Sequence, residues 1–219
     1  MANFSTDADL LKWEPALLRE IVLDHQRLTR GSGASSQTFS VVAQDGLFVT
    51  SKVRTGHVIH LANSEQGVDG YYEVLSVEDE TELLAGVLGG CGDGWTPLPS
   101  ATDLEFDIHT FDPQHEEARF ALLAHFGLET DAADPATDLE RWIFQRRALR
   151  RASVALVLSM LYRGQASGGP EAAGLARKAD HYARLHEDEA AKARLVLDRD
   201  GDGRPDDLRT LSSHRLRRD

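Results

Sequence analysis

TFSVVAQDGLFVTSKV, residues Thr38–Val53, is where the period of the chain changes and where its fold is decided. Two β-rich runs, Thr38–Gln44 and Leu47–Val53, flank Asp45-Gly46, the dipeptide best suited to a two-residue type I′ hairpin turn. Further short runs follow at His57–Ala62, Tyr71–Val77, Glu82–Leu88 and Leu104–Thr110, separated by Gly, Asn or Pro. Short strands at this spacing predict a small antiparallel barrel or sandwich. Gly89–Ser100, GGCGDGWTPLPS, is too rich in Gly and Pro to be a strand and reads as a loop.

On the N-terminal side, Arg30-Gly-Ser-Gly-Ala-Ser-Ser reads as a flexible break. Before it, Leu17, Leu18, Ile21, Val22, His25 and Leu28 recur at three and four residue spacings, which predicts an amphipathic helix over Pro15–Thr29. Ser5 or Thr6 can cap a still earlier turn, with Asp7 and Asp9 at the positive end of the helix dipole. Beyond the β runs, Asp112-Pro113 opens a helix through Phe120, Leu123 and Phe126 to Gly127, and a loop over Glu129–Thr137 follows. A long helix then starts at Asp138 and carries Trp142, Ile143, Leu149, Val154, Leu156, Leu158 and Leu161, with Trp142 and Phe144 in its core. The last runs from about Pro170 to Leu197, with Leu175, Ala179, Tyr182, His186, Glu189, Ala193 and Val196 on one stripe.

The expected fold class is therefore α+β. A bundle of about four helices, 1–35 and 111–197, carries an inserted small antiparallel β-barrel or sandwich, 36–110, and residues 198–219 form an acidic loop and an extended arginine-rich tail. None of the helices has enough apolar surface to be stable alone, so those on either side of the β module are expected to share a core.

With 41% hydrophobic and 27% charged residues the chain is expected to be a folded soluble protein. No run approaches the roughly 18 apolar residues of a membrane-spanning helix, and MANFSTDADLL lacks the basic start and apolar core of a signal peptide. The single cysteine, Cys91, excludes an intrachain disulfide and has no evident base to activate it. The net charge of −12 argues against a protein that grips phosphate backbones. That charge is uneven, with 17 acids against 6 Lys and Arg in residues 1–110, whereas Leu139–Arg163 holds six Arg and one Glu.

Enzymatic chemistry finds little support. There is no Gly-x-Ser-x-Gly elbow, no P-loop and no strand-to-helix Gly-x-Gly-x-x-Gly. The nine histidines form no HExxH cluster, and His57 and His60, three apart in a strand-like run, fall on opposite faces. The sharpest motif is Leu197–Leu208, LDRDGDGRPDDL. Asp198, Asp200, Asp202 and Asp206 match the first half of a calcium loop, with Gly203 at the turn, but Arg209 stands where a bidentate acid belongs. Two readings stay open: a bound calcium ion, or an acidic turn neutralised by Arg199, Arg204, Arg209 or a neighbouring subunit. With Arg209 in that place, the loop reads better as a hinge that ends the last helix at Leu197 and redirects the tail.

In RWIFQRRALRR, Arg146 and Arg150, and Arg147 and Arg151, are four apart and build two adjacent basic rows. Such a strip docks onto an acidic surface, for instance a neighbouring copy's β module; a solvated helix face is the plain alternative.

The opening TDADLLKWEPALL, the helix ARKADHYARLHEDEAAKARL and the closing LDRDGDGRPDDLRTLSSHRLRRD resemble head-to-tail adaptor proteins of tailed bacteriophages and prophages. The resemblance covers about half the chain and leaves out the β insertion. It implies a non-enzymatic virion neck protein, made in the host cytoplasm. Its homo-oligomeric ring, commonly a dodecamer, docks to the portal, links it to a stopper or tail-terminator component, and gives passing DNA a channel without tight phosphate contacts. It also implies that the C-terminal segment grips the portal, which here places Arg209, Leu211, His214, Arg215, Leu216, Arg217 and Arg218 at that contact. The basic strip Arg146, Arg147, Arg150 and Arg151 would lie between subunits. A reading of another class is a calcium-dependent adhesion or carbohydrate-binding module that uses the β lobe and the Asp198–Asp207 loop.

Overall fold

The computed structural model describes residues 3–36, 38–88, 96–128, 143, 146–166, 171–198, 204 and 207–210. Its chain divides into two units, Thr6–Phe111 on one side and Met1–Ser5 with Asp112–Asp219 on the other. The expected α+β class holds in its coarse form, with five α-helices among the described residues and a closed six-stranded antiparallel barrel.

The first unit opens with α1 (Asp7–Trp13), whose start is fixed by a reciprocal cap: Asp9 N–H donates to Thr6 Oγ1 and Thr6 N–H to Asp9 Oδ2. A short α2 (Leu17–Glu20) and a 3₁₀ turn at Asp24–Gln26 follow. The barrel strands are β1 (Arg27–Ser35), β2 (Ser40–Val42), β3 (Val58–Asn63), β4 (Val68–Val77), β5 (Glu82–Val87) and β6 (Ala101–His109), closed in the order β1-β2-β5-β4-β3-β6. Alternation fills its interior: Ile59 and Leu61, Leu83 and Ala85, and Leu104, Phe106 and Ile108 are buried, with the Phe48 and Phe106 rings 5.5 Å apart.

Two expectations fail here for the same reason. The helix expected over Pro15–Thr29 is only the single turn α2, and the stretch that reads as a flexible break is β1. Closure requires a strand between β2 and β6, and β1 supplies it by pairing with β6 from Arg27↔His109 to Ser35↔Ala101. Gly31 serves the contact with β6 and Gly33 that with β2, since a Cβ would lie 2.9 Å from the Phe106 ring and 2.5 Å from the Val42 carbonyl oxygen respectively. Tertiary pairing therefore overrides local propensity, and residues 6–35 belong with the barrel rather than with the expected helical body.

The hairpin expected at Asp45-Gly46 is likewise absent. Its first arm shrinks to β2, and Leu47–Val53 is a looped segment rather than a strand. Phe48 turns fully inward, and its N–H donates to the Glu80 carbonyl. The Glu80 carboxylate accepts from the N–H groups of Val49 and Thr50 and from Thr50 Oγ1. These bonds take up the backbone donors that a hairpin ladder would have used.

The second unit contains α3 (Asp112–His125), a 3₁₀ turn at Arg146–Leu149, α4 (Arg150–Gln165), α5 (Ala172–Lys192), β7 (Leu195–Leu197) and β8 (Asp207–Arg209). Its α4 packs along α5, with Tyr162 stacked on Tyr182 at 5.9 Å, and also against α3. The α5 stripe is as expected in Ala179 and Tyr182, which are buried. Phe120, expected on the apolar side of α3, is 45% exposed. The last helix ends at Lys192, short of Leu197, and β7 turns back to pair with β8 at Leu195↔Arg209, Val196↔Leu208 and Leu197↔Asp207. The helix end expected at Leu197 is thus corrected to Lys192, while residues 199–203, 205 and 206, on which the expected hinge falls, lie outside the described residues. Residues 129–142, and with them the start of the helix expected at Asp138, lie outside the described residues, as do Trp142 and Phe144.

Candidate functional site

Barrel register arranges the outward side chains of β1, β6, β3 and β4 in rows across the strands. One row is Arg30–Asp107–His60–Tyr71, set by Arg30↔Asp107, His60↔Asp107 and His60↔Tyr71. The next is Ser32–Glu105–Ala62–Asp69, set by Ser32↔Glu105, Ala62↔Glu105 and Ala62↔Asp69. Ser32 and Ala62 are too short to fill their places, and Gly31 has no side chain. The result is an open groove of about 500 Å³, lined by these residues with Arg30, His60, Glu105, Phe106 and Asp107.

A smaller pocket of about 110 Å³ continues it past His60 and Asp107 to Tyr71 and His109, with Leu18 and Val22 on its other wall. Tyr71 also lines a third concavity, of about 460 Å³, with Lys12, Arg19 and Leu88. The small pocket shares His60 and Asp107 with the groove and Tyr71 with the third concavity, so the three follow one another as a cleft along this face of the unit.

Most charges in the cleft already have partners. Arg27 Nε donates to both Asp107 oxygens at 3.2 Å, and the Nδ1 of His109 lies 3.3 Å from Asp107. His60 Nε2 lies 2.7 Å from Asp69 Oδ1, its ring stacks on Tyr71 at 4.6 Å, and Arg19 reaches Asp69 at 3.4 Å. The hydrogen bond from His60, with the Arg19 charge behind it, holds the Asp69 carboxyl below the usual range. Burial pushes the Tyr71 hydroxyl up and the His109 imidazole down, which keeps both neutral near pH 7. Among the described residues, His109 Nε2 is buried without a hydrogen-bond partner, and neither His60 nor His109 meets a hydroxyl. Both imidazoles of the face are thus tied to carboxylates, His60 to Asp69 and His109 to Asp107. No group of three or more His, Cys, Asp and Glu that could hold a metal ion occurs among the described residues.

The residues singled out from sequence lie elsewhere. Arg146 is in the 3₁₀ turn with its guanidinium 5.2 Å from the Phe4 ring, Arg147 beside it is exposed, and Arg150 and Arg151 open α4. Arg151 pairs with Glu189 at 3.3 Å. The structure thus splits the two expected rows: Arg146 and Arg150 are half-buried, while Arg147 and Arg151 face outward. Of the expected calcium ligands, Asp198 follows β7, and Asp200, Asp202 and Asp206 lie outside the described residues. Arg209 is in β8; Leu211, His214, Arg215, Leu216, Arg217 and Arg218 lie outside them as well.

Sequence reading missed the cleft, although half its signal was legible. In Asp103-Leu-Glu-Phe-Asp-Ile-His109 charged or polar residues alternate with apolar ones, marking one solvent face. Which residues of β1 and β3 stand beside that face is set by pairing between distant segments. No family model, no curated protein and no solved structure matches the chain.

Proposed function

We propose that this chain is a non-enzymatic docking subunit, a head-to-tail adaptor of a tailed-phage neck. It forms a homo-oligomeric ring, on the dodecameric pattern, between the portal and the next neck component. The observation that carries this reading is the partition of charge. Thr6–Phe111 holds 17 acidic and 6 basic residues, so the barrel unit accounts for −11 of the net −12, and the remainder of the chain is nearly balanced. An acidic unit repels passing DNA, and a balanced unit with exposed arginines can meet acidic protein surfaces. The resemblance of the flanking segments to phage adaptors supplies the kind of partner.

The tail Thr210–Asp219, with Arg215, Arg217 and Arg218, is the proposed portal contact. Its test is a pull-down on portal protein, comparing the full chain with one ending at Thr210, which keeps the β7-β8 pair whole. Retention of the full chain and loss of the shortened one is the expected result. Equal retention of both sinks the tail contact, and no retention of either sinks the adaptor reading.

A further inference from the structure

We infer that the loop Asp45–Val53 of one copy docks on the Arg147–Arg151 face of a second copy, an inference that rests on the self-association in the reading above and adds which surfaces meet. Leu47 and Val49 are 53% and 55% exposed, although Phe48 between them is fully buried. Anchored by Phe48 and by the Glu80 carboxylate, the two aliphatic side chains stand in a fixed position, so little conformational entropy is lost when they are covered.

The surroundings specify the occupant. Asp45 opens the loop, the turn between β4 and β5 that holds it carries Glu78, Asp79 and Glu80, and Glu82 starts β5, whereas within Asp45–Val53 the one cation is Lys52. Backbone and side-chain hydrogen bonds from Thr81 hold the Asp79 carboxyl low, and those from Thr50 do the same for Glu80, so the rim stays anionic at neutral pH. The covering surface must offer cations together with apolar area. The face Arg147-Ala148-Leu-Arg-Arg151 does so: Arg147, Ala148 and Arg151 are exposed, Arg151 keeps its own Glu189 at 3.3 Å, and the arginine stems pack on aliphatic groups while the Arg147 guanidinium reaches carboxylates. Loop and strip are different patches, so the contact is head-to-tail and can propagate around a ring.

Sedimentation of the full chain between about 50 mM and 500 mM salt is the test. Wild type should associate at low salt and dissociate as salt screens the rim. Two variants remove one patch each, L47S/V49S the loop and R147E/A148E the strip; all four positions are exposed, and circular dichroism checks that both variants fold. Each alone should associate at least about tenfold more weakly. Mixed together, they retain one good loop and one good strip and should form a heterodimer and nothing larger.

A wild type that is monomeric in every condition overturns the inference, as does association unchanged in both variants or a mixture that forms no heterodimer. Portal retention, measured separately, decides the adaptor reading whichever way this result falls.

Discussion

Ser5 Oγ lies 2.8 Å from Nδ1 of His115, a residue 110 positions later, and 2.7 Å from Ser153 Oγ. All three side chains are buried, and together they tie the N-terminal segment to α3 and α4 within one unit. Phe4 beside Ser5 joins the same core as Leu122, Phe126 and Ala152. The first five residues therefore belong structurally with residues beyond 111.

Replacing Ser5 by alanine leaves His115 and Ser153 each one partner short in a site without water access. The expected cost is about 1–2 kcal/mol. Chemical denaturation should show a lower midpoint with an unchanged slope, and an unchanged midpoint would mean that the cluster contributes nothing.

Gly56 sits at φ +90°, and a Cβ there would lie 2.6 Å from Thr6 Cγ2, at the cap of α1. Its carbonyl accepts from Ala8 N–H and its N–H donates to the Val74 carbonyl. Gly56→Ala should destabilise the barrel unit by about 2 kcal/mol or more, read as a lower melting temperature. Gly67, also at positive φ but with nothing within 4 Å, should respond less to the same change.

Burial lowers the affinity of His109 for a proton, so the folded chain binds that proton less tightly than the unfolded chain does. The stability tied to this group is therefore complete above about pH 6.5 and falls as pH drops below the unfolded value. His125 is shifted the same way, by burial and then by the charge of His186. Thermal unfolding from pH 7.5 to 5.5 should show declining stability, with a shallower decline in His109→Asn. An equal slope in the variant would assign the effect to other groups.

Glu80 holds the Asp45–Val53 loop through the N–H groups of Val49 and Thr50. In Glu80→Ala, amide exchange at these two positions should accelerate, while exchange inside β3 and β6 stays as in the wild type. Unchanged exchange at Thr50 would show that Phe48 alone fixes the loop.

Period-2 alternation in LEFDIH, the β-rich composition of 57–110 and the helix signals at Asp112-Pro113 were enough to place β3 to β6 and α3 from the chain alone. Local patterns suffice there because each segment's own spacing of apolar residues selects its state. The charge division between the units was equally legible, since it is a property of composition.

Arg27–Ser35, Leu47–Val53 and Leu195–Leu197 were decided by tertiary structure. A glycine- and serine-rich run became a strand because closing the barrel leaves β6 a backbone edge that β1 completes. A β-rich run lost its strand because Glu80 captured its N–H groups and Phe48 filled the core. Helical spacing continued to Leu197, yet β8 offered a backbone partner that ended it. The cleft belongs to the same category: its row Arg30–Asp107–His60–Tyr71 joins four strands, and no local pattern states which distant backbone will hydrogen-bond to which.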